Sequence, residues 1–110
     1  MTDAELTALI VKLNKLYQAC GHGESYRNLL RDFQNPTDDG FRERWQFVKF
    51  SGMGGLDDEY LPTNRLEKVE FYLLAAELFD ELIRRGIRPP ESARVSKQLR
   101  EMAGYMRHLE

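Results

Sequence analysis

Two acidic pairs, Glu67-x-x-Glu70 and Glu77-x-x-Asp80, have the three-residue spacing with which helical carboxylates can present oxygen ligands to a divalent cation. A hard cation needs several such ligands converging on it. Both pairs here fall on one helix and on its polar face, with Glu81 and Arg84 beside them, so the spacing predicts an outward charged stripe instead of a metal centre. The glycine-rich stretch Gly52-Met53-Gly54-Gly55 offers backbone amides of the kind that cradle phosphate. That chemistry requires a strand before the glycines and a helix directly after, with Lys-Ser or Lys-Thr in the P-loop case. Here a helix is predicted before the glycines, and Asp57, Asp58 and Glu59 follow, whose charges repel a phosphate. The same three acids are consecutive, whereas a calcium-binding EF-hand alternates its oxygen ligands. The reading is no metal and no cofactor.

Nucleophilic and acid–base chemistry fares no better. His22 lies between two glycines and His108 near the end of the last predicted helix, neither at a recognisable catalytic spacing from a carboxylate, Cys or Ser. Cys20, the single cysteine, falls on an apolar helix stripe, where a small buried hydrophobe is its ordinary role. Ferritin-like di-iron chemistry needs Glu-x-x-His twice and is excluded. The two acidic pairs resemble those of helical nucleoside-triphosphate pyrophosphohydrolases, which bring their pairs together from different helices. A metal-dependent hydrolase built on Glu67, Glu70, Glu77 and Asp80 is therefore kept only as an alternative.

The elements that position these residues are predicted helices. Thr2 and Glu5 have capping-box spacing, and Leu6, Leu9, Ile10, Leu13, Leu16, Tyr17 and Cys20 then form one apolar stripe, with Lys12, Asn14 and Lys15 outside it. Gly21 and Gly23 close that helix. Tyr26, Leu29, Leu30 and Phe33 mark a short second helix that stops at Asn35-Pro36. Thr37, Asp38 and Asp39 offer caps for a third, along which Phe41, Trp45 and Val48 share a face while Phe47 and Phe50 point elsewhere. Residues 51–63 break every periodicity and are read as a loop. A second capping pair, Asn64 with Glu67, opens a long helix to Arg85. Its apolar residues Val69, Phe71, Tyr72, Ala75, Ala76, Leu78, Phe79, Leu82 and Ile83 cover about half the circumference, and Gly86 stands at its C-terminal cap. After Pro89-Pro90, a last helix carries the stripe Val95, Leu99, Met102, Met106 and Leu109. The expectation is an all-α fold, a small bundle of about five helices forming a single domain over residues 1–110.

Composition sets the remaining bounds. With 42% hydrophobic and 31% charged residues among 110, the chain has the profile of a globular protein and not of a disordered one. No apolar run is long enough for a membrane span, and a lone cysteine fits a cytoplasmic location. The net charge of −2 argues against a dedicated nucleic-acid binder. It conceals an asymmetry, however: residues 1–83 hold 9 basic against 15 acidic residues and residues 84–110 hold 7 against 3. A nucleic-acid-associated regulator using Arg84, Arg85, Arg88, Arg94, Lys97 and Arg100 is thus a second alternative, and its binding would fall steeply with salt.

Trp45, the aromatic residues Phe47 and Phe50, and Gly52-Met53-Gly54-Gly55-Leu56-Asp57-Asp58 resemble the shared segment of a family of short bacterial helical proteins of uncharacterised function. In that family an aromatic helix is followed by Gly-Met-Gly-Ser-Leu-Asn-Asp and an apolar pair. Gly55 and Asp57 depart from the pattern, and the match covers roughly a quarter of the chain. In size and acidic character the chain is also similar to immunity proteins encoded beside bacterial toxins. The long apolar and acidic loop without catalytic groups makes a non-enzymatic protein-binding module, of the immunity-inhibitor type by that analogy, the leading expectation. The expected binding residues are Trp45, as an aromatic platform if it is not core filling, and Met53, Asp57, Asp58, Glu59 and Tyr60, with another protein as the partner.

Overall fold

The computed structural model describes residues 1–20, 29–48, 65–89 and 92–108, and among these every regular element is helical. Helix α1 spans Asp3–Cys20, α2 is a helical turn over 29–32, α3 spans Phe41–Trp45, α4 spans Arg65–Arg84 and α5 spans Ser92–His108. The fold is a small all-α bundle, as the periodicity predicts. No described helix is long and apolar enough to cross a membrane.

Helix α1 begins with the predicted capping box. Thr2 N–H donates to Glu5 Oε1 at 2.9 Å and Glu5 N–H donates to Thr2 Oγ1 at 3.1 Å, so two amides with no partner inside the helix are satisfied reciprocally. Leu6, Leu9, Ile10, Leu13 and Tyr17 are buried as the stripe requires. Asn14, placed outside that stripe by its polarity, is buried as well, and its Oδ1 has no hydrogen-bond partner among the described residues. The covered face of α1 is therefore wider than its apolar stripe.

Helix α3 differs from expectation at both ends. It closes at Trp45, with a turn at 46–47, and does not continue along the aromatic run. Its N-cap is Gly40 at φ 83°, and no side chain caps it; Thr37, Asp38 and Asp39 do not serve. The acceptor side chain is Asn35, whose Oδ1 receives Thr37 N–H at 3.0 Å and Thr37 Oγ1 at 2.8 Å. That turn consumes the Thr37 hydroxyl, and the chain then enters α3 through a left-handed backbone that glycine adopts without penalty. Phe41 and Trp45, one turn apart, point inward with ring centroids 6.0 Å apart.

Helix α4 is the central strut. Val69, Phe71, Tyr72, Ala75, Ala76, Leu78, Phe79 and Leu82 are all buried, which a helix achieves only when neighbours cover it on more than one side. Its main contacts among the described helices are with α5 and then α1, where Tyr17 meets Phe71 edge to face at 5.8 Å. The C-terminus closes as a Schellman motif: Ile87 N–H donates to Leu82 O at 2.8 Å and Gly86 N–H to Ile83 O at 3.0 Å, with Gly86 at φ 78°. From α3, the Arg42 guanidinium donates to the carbonyls of Arg85, at 2.9 Å, and Gly86, at 3.0 Å, and so caps α4 from another element.

Beyond the cap, α5 packs along α4. Val95, Leu99 and Ala103 face inward, together with Ser96. Met102, assigned to the stripe, is instead 39% exposed at its rim, because the small Ala103 takes the inward position. Gly104 lies inside α5 with nothing within 4 Å of where a Cβ would stand, so the fold has no packing need for a glycine there. Gly104→Ala is expected to stabilise the protein by about 0.5–1 kcal/mol through the helix propensity of alanine. Thermal unfolding of a dilute sample checks this, and a lowered melting temperature contradicts it.

Candidate functional site

The predicted charged stripe of α4 divides in two. Glu70 and Glu77 are exposed, as expected of an outward face. Asp80 turns toward α5, where it accepts from Arg100 Nη2 and is held by Ser96. Glu81, also placed on the outward stripe, is only 3% exposed. The helical wheel set it beside the exposed residues, but the first turn of α1 and its own neighbours cover it. Arg84 Nη1 donates to Glu81 Oε1 at 2.9 Å and Arg85 Nε to Glu81 Oε2 at 2.8 Å, and the Met1 α-amine stands 3.9 Å from Oε1. Arg85 continues outward, donating to Asp3 Oδ1 at 2.6 Å and to the Met1 carbonyl at 3.0 Å, 82 and 84 positions away in the chain.

Burial on its own raises the pKa of Glu81, but the hydrogen bonds from Arg84 and Arg85 and the nearby α-amine outweigh it and hold the carboxyl below its ordinary value of 4.5. Asp80 is lowered for the same reason, its bonds to Arg100 and Ser96 overcoming its desolvation. A carboxylate held ionised among cations is a poor general acid or base near neutral pH. Among the described residues no group of three or more His, Cys, Asp and Glu side chains is placed to hold a metal ion. Glu67 and Glu70 stand at the opposite end of α4 from Asp80, so the two acidic pairs do not converge.

The basic strip is similarly divided. Arg84 and Arg85 are bound to Glu81, and Arg100 to Asp80. Arg88 and Lys97 remain exposed. Arg84, Arg85 and Arg100, three of the six cations proposed to meet phosphates, are thus already paired with carboxylates of the fold.

Trp45 is fully buried, and its indole Nε1–H donates to the Phe33 carbonyl at 3.0 Å. This corrects its place among the partner-binding residues: its role is core filling, because its whole surface and its one polar atom are used internally. Arg44 covers the outer side of the same cluster, 5.3 Å from the Phe33 ring centroid. Met53, Asp57, Asp58, Glu59 and Tyr60 lie outside the described residues, as do His22, Asn64 and the side chains of Cys20 and His108.

What the structure adds is a set of large apolar side chains facing solvent. Phe47, three residues before the end of the aromatic segment, is 73% exposed, and Leu66, in the first turn of α4, is 65% exposed. They bracket the glycine-rich, acidic segment in the sequence. On α5, Gln98, Glu101, Met102 and Tyr105 line a surface groove of about 510 Å³. The sequence carried a signal for two of these. Leu66 shares a face of α4 with Glu70 and Glu77, and Tyr105 shares one of α5 with Glu101, which marks each as an apolar residue on a polar face.

No protein-family model, curated protein or solved structure matches this chain. The resemblance drawn from residues 45–58 therefore rests on those residues alone.

The buried carboxylate generates a prediction with a definite sign. Since the Glu81 pKa is lower in the folded chain than in the unfolded one, its stabilisation is complete above about 4.5 and is lost as pH falls through the folded value. Glu81→Gln is expected to cost about 2 kcal/mol at pH 7 and to flatten the decline of stability below pH 4.5. Denaturant unfolding of both proteins at several pH values checks it. Parallel acid profiles for the two proteins contradict it.

Proposed function

We propose that this chain is a non-enzymatic protein-binding module of the immunity-inhibitor kind, which engages another protein through residues 51–61 and the apolar side chains on either side of them. The observation that carries the reading is the exposure of Phe47 and Leu66 at the two borders of that segment. Leaving such side chains in water forfeits about 1.5–3 kcal/mol each relative to burying them, and a partner's surface recovers that free energy. Met53, Leu56, Tyr60 and Leu61 add apolar groups between the borders, and Asp57, Asp58 and Glu59 add three negative charges. An apolar centre with a charged rim is the usual composition of a specific interface. The expected partner surface is concave, apolar and rimmed with Lys or Arg.

Two further observations support this class over an enzyme. The buried carboxylate Glu81 and its half-buried neighbour Asp80 are spent on ion pairs, and the single tryptophan is spent on the core.

Two variants test the proposal: Phe47→Ser with Leu66→Ser, and a fourfold alanine replacement of Met53, Asp57, Asp58 and Tyr60. Each is expected to reduce capture of the native partner at least about tenfold while keeping the helical circular dichroism spectrum and a cooperative melt. Undiminished capture by both folded variants rejects this surface.

A further inference from the structure

The described lining of the groove on α5 is Gln98, Glu101, Met102 and Tyr105. Val95, Leu99 and Ala103 face the core, so Lys97, Gln98, Glu101 and Tyr105 are left on the exposed side of the helix. Tyr105 is 66% exposed, and the half-exposed Met102 flanks it. Gln98, Glu101 and Tyr105 follow one another at steps of three and four, the spacing of a helix seam. Among the described residues, none makes a hydrogen bond or ion pair with the side chains of Lys97, Gln98, Glu101 or Tyr105, whereas Arg100, one position from Glu101, is bound to Asp80. Gly104 leaves open space on the same helix, where a second backbone can approach closely.

We infer that this face is a self-association surface, covered by the antiparallel α5 of a second copy of the chain. The charge pattern selects that occupant. Lys97 precedes Glu101 by one turn. Reversing the second helix sets each Lys97 toward the partner's Glu101, and a two-fold axis forms both pairs by one operation. A parallel second helix places like charges together instead. The antiparallel arrangement also opposes the two helix dipoles favourably. In that register Met102 and Tyr105 lie on either side of the axis, each laid over the first turns of the other copy's α5, and supply the apolar surface that is covered. A single helix face is smaller than the roughly 800 Å² per partner of a standard stable interface, so the dimer is a weak one, with a dissociation constant on the order of 10–100 µM.

Sedimentation equilibrium of the full chain from about 5 µM to about 1 mM tests this. The average mass is expected to rise from 12.9 kDa toward twice that value. Lys97→Glu and Glu101→Lys are each expected to weaken association at least about tenfold, and the two together to restore it to within about threefold, because the swap re-forms both pairs with reversed sign. Met102→Ala with Tyr105→Ala is expected to weaken it by a similar factor. These positions are exposed, so melting temperatures confirm that each variant folds. A monomer at every concentration overturns the inference, as does a dimer indifferent to either single reversal, or a double swap that fails to restore it. The fourfold alanine variant at residues 53–60 is expected to dimerise normally, so the two proposed surfaces fail or stand separately.

Discussion

Burying the Glu81 carboxylate is the constraint from which the arrangement of the helices follows. An ionised carboxylate removed from water costs several kcal/mol unless cations and hydrogen bonds replace its hydration. Arg84 and Arg85 supply those bonds from the same helix, and Arg85 spends its remaining donors on Asp3 and the Met1 carbonyl. The first turn of α1 is thereby fixed against the last turn of α4, next to the capping box that starts it. The same end of α4 carries the Gly86 reversal into α5 and receives the Arg42 guanidinium from α3. Three elements meet at one helix terminus, and the apolar faces of α1 and α5 pack on α4.

That use of charge shapes the functional reading. Carboxylates and guanidinium groups are the residues from which a hydrolase or a phosphate-binding surface would be built. In this fold the best-placed of them neutralise one another. Large apolar side chains, by contrast, are left facing water, at Phe47 and Leu66 on the borders of the glycine-rich segment, and at Met102 and Tyr105 on α5. Exposed side chains of that kind are better suited to meeting another surface than to performing a reaction.

Much of the scaffold was legible from residue types and spacing, since its signals are local. The Thr2–Glu5 box, the stripe of α1, the half-apolar circumference of α4 and the Gly86 cap each depend on residues within a turn or two. The misreadings are all cases in which a distant or competing contact decided the outcome. Glu81 looks solvated on a helical wheel and is covered by a segment 80 positions away. Thr37 looks like a cap, but Asn35 captures it first. Met102 looks like core, but Ala103 fits the inward position against α4. Of the proposed binding residues, the spacing allowed Trp45 two roles, and only its burial and its bond to Phe33 separate them.

Native-state amide hydrogen exchange tests the structural role of Glu81 most directly, because it reports protection residue by residue. If Glu81 fixes α1 to α4, Glu81→Gln lowers the protection of the Leu6 amide, bonded to the Thr2 carbonyl, together with that of Arg85 and Ile87. The central amides of α5 keep theirs relative to the global stability. Loss confined to the last turn of α4, with the start of α1 unchanged, would contradict the account and return Glu81 to the residues available for chemistry.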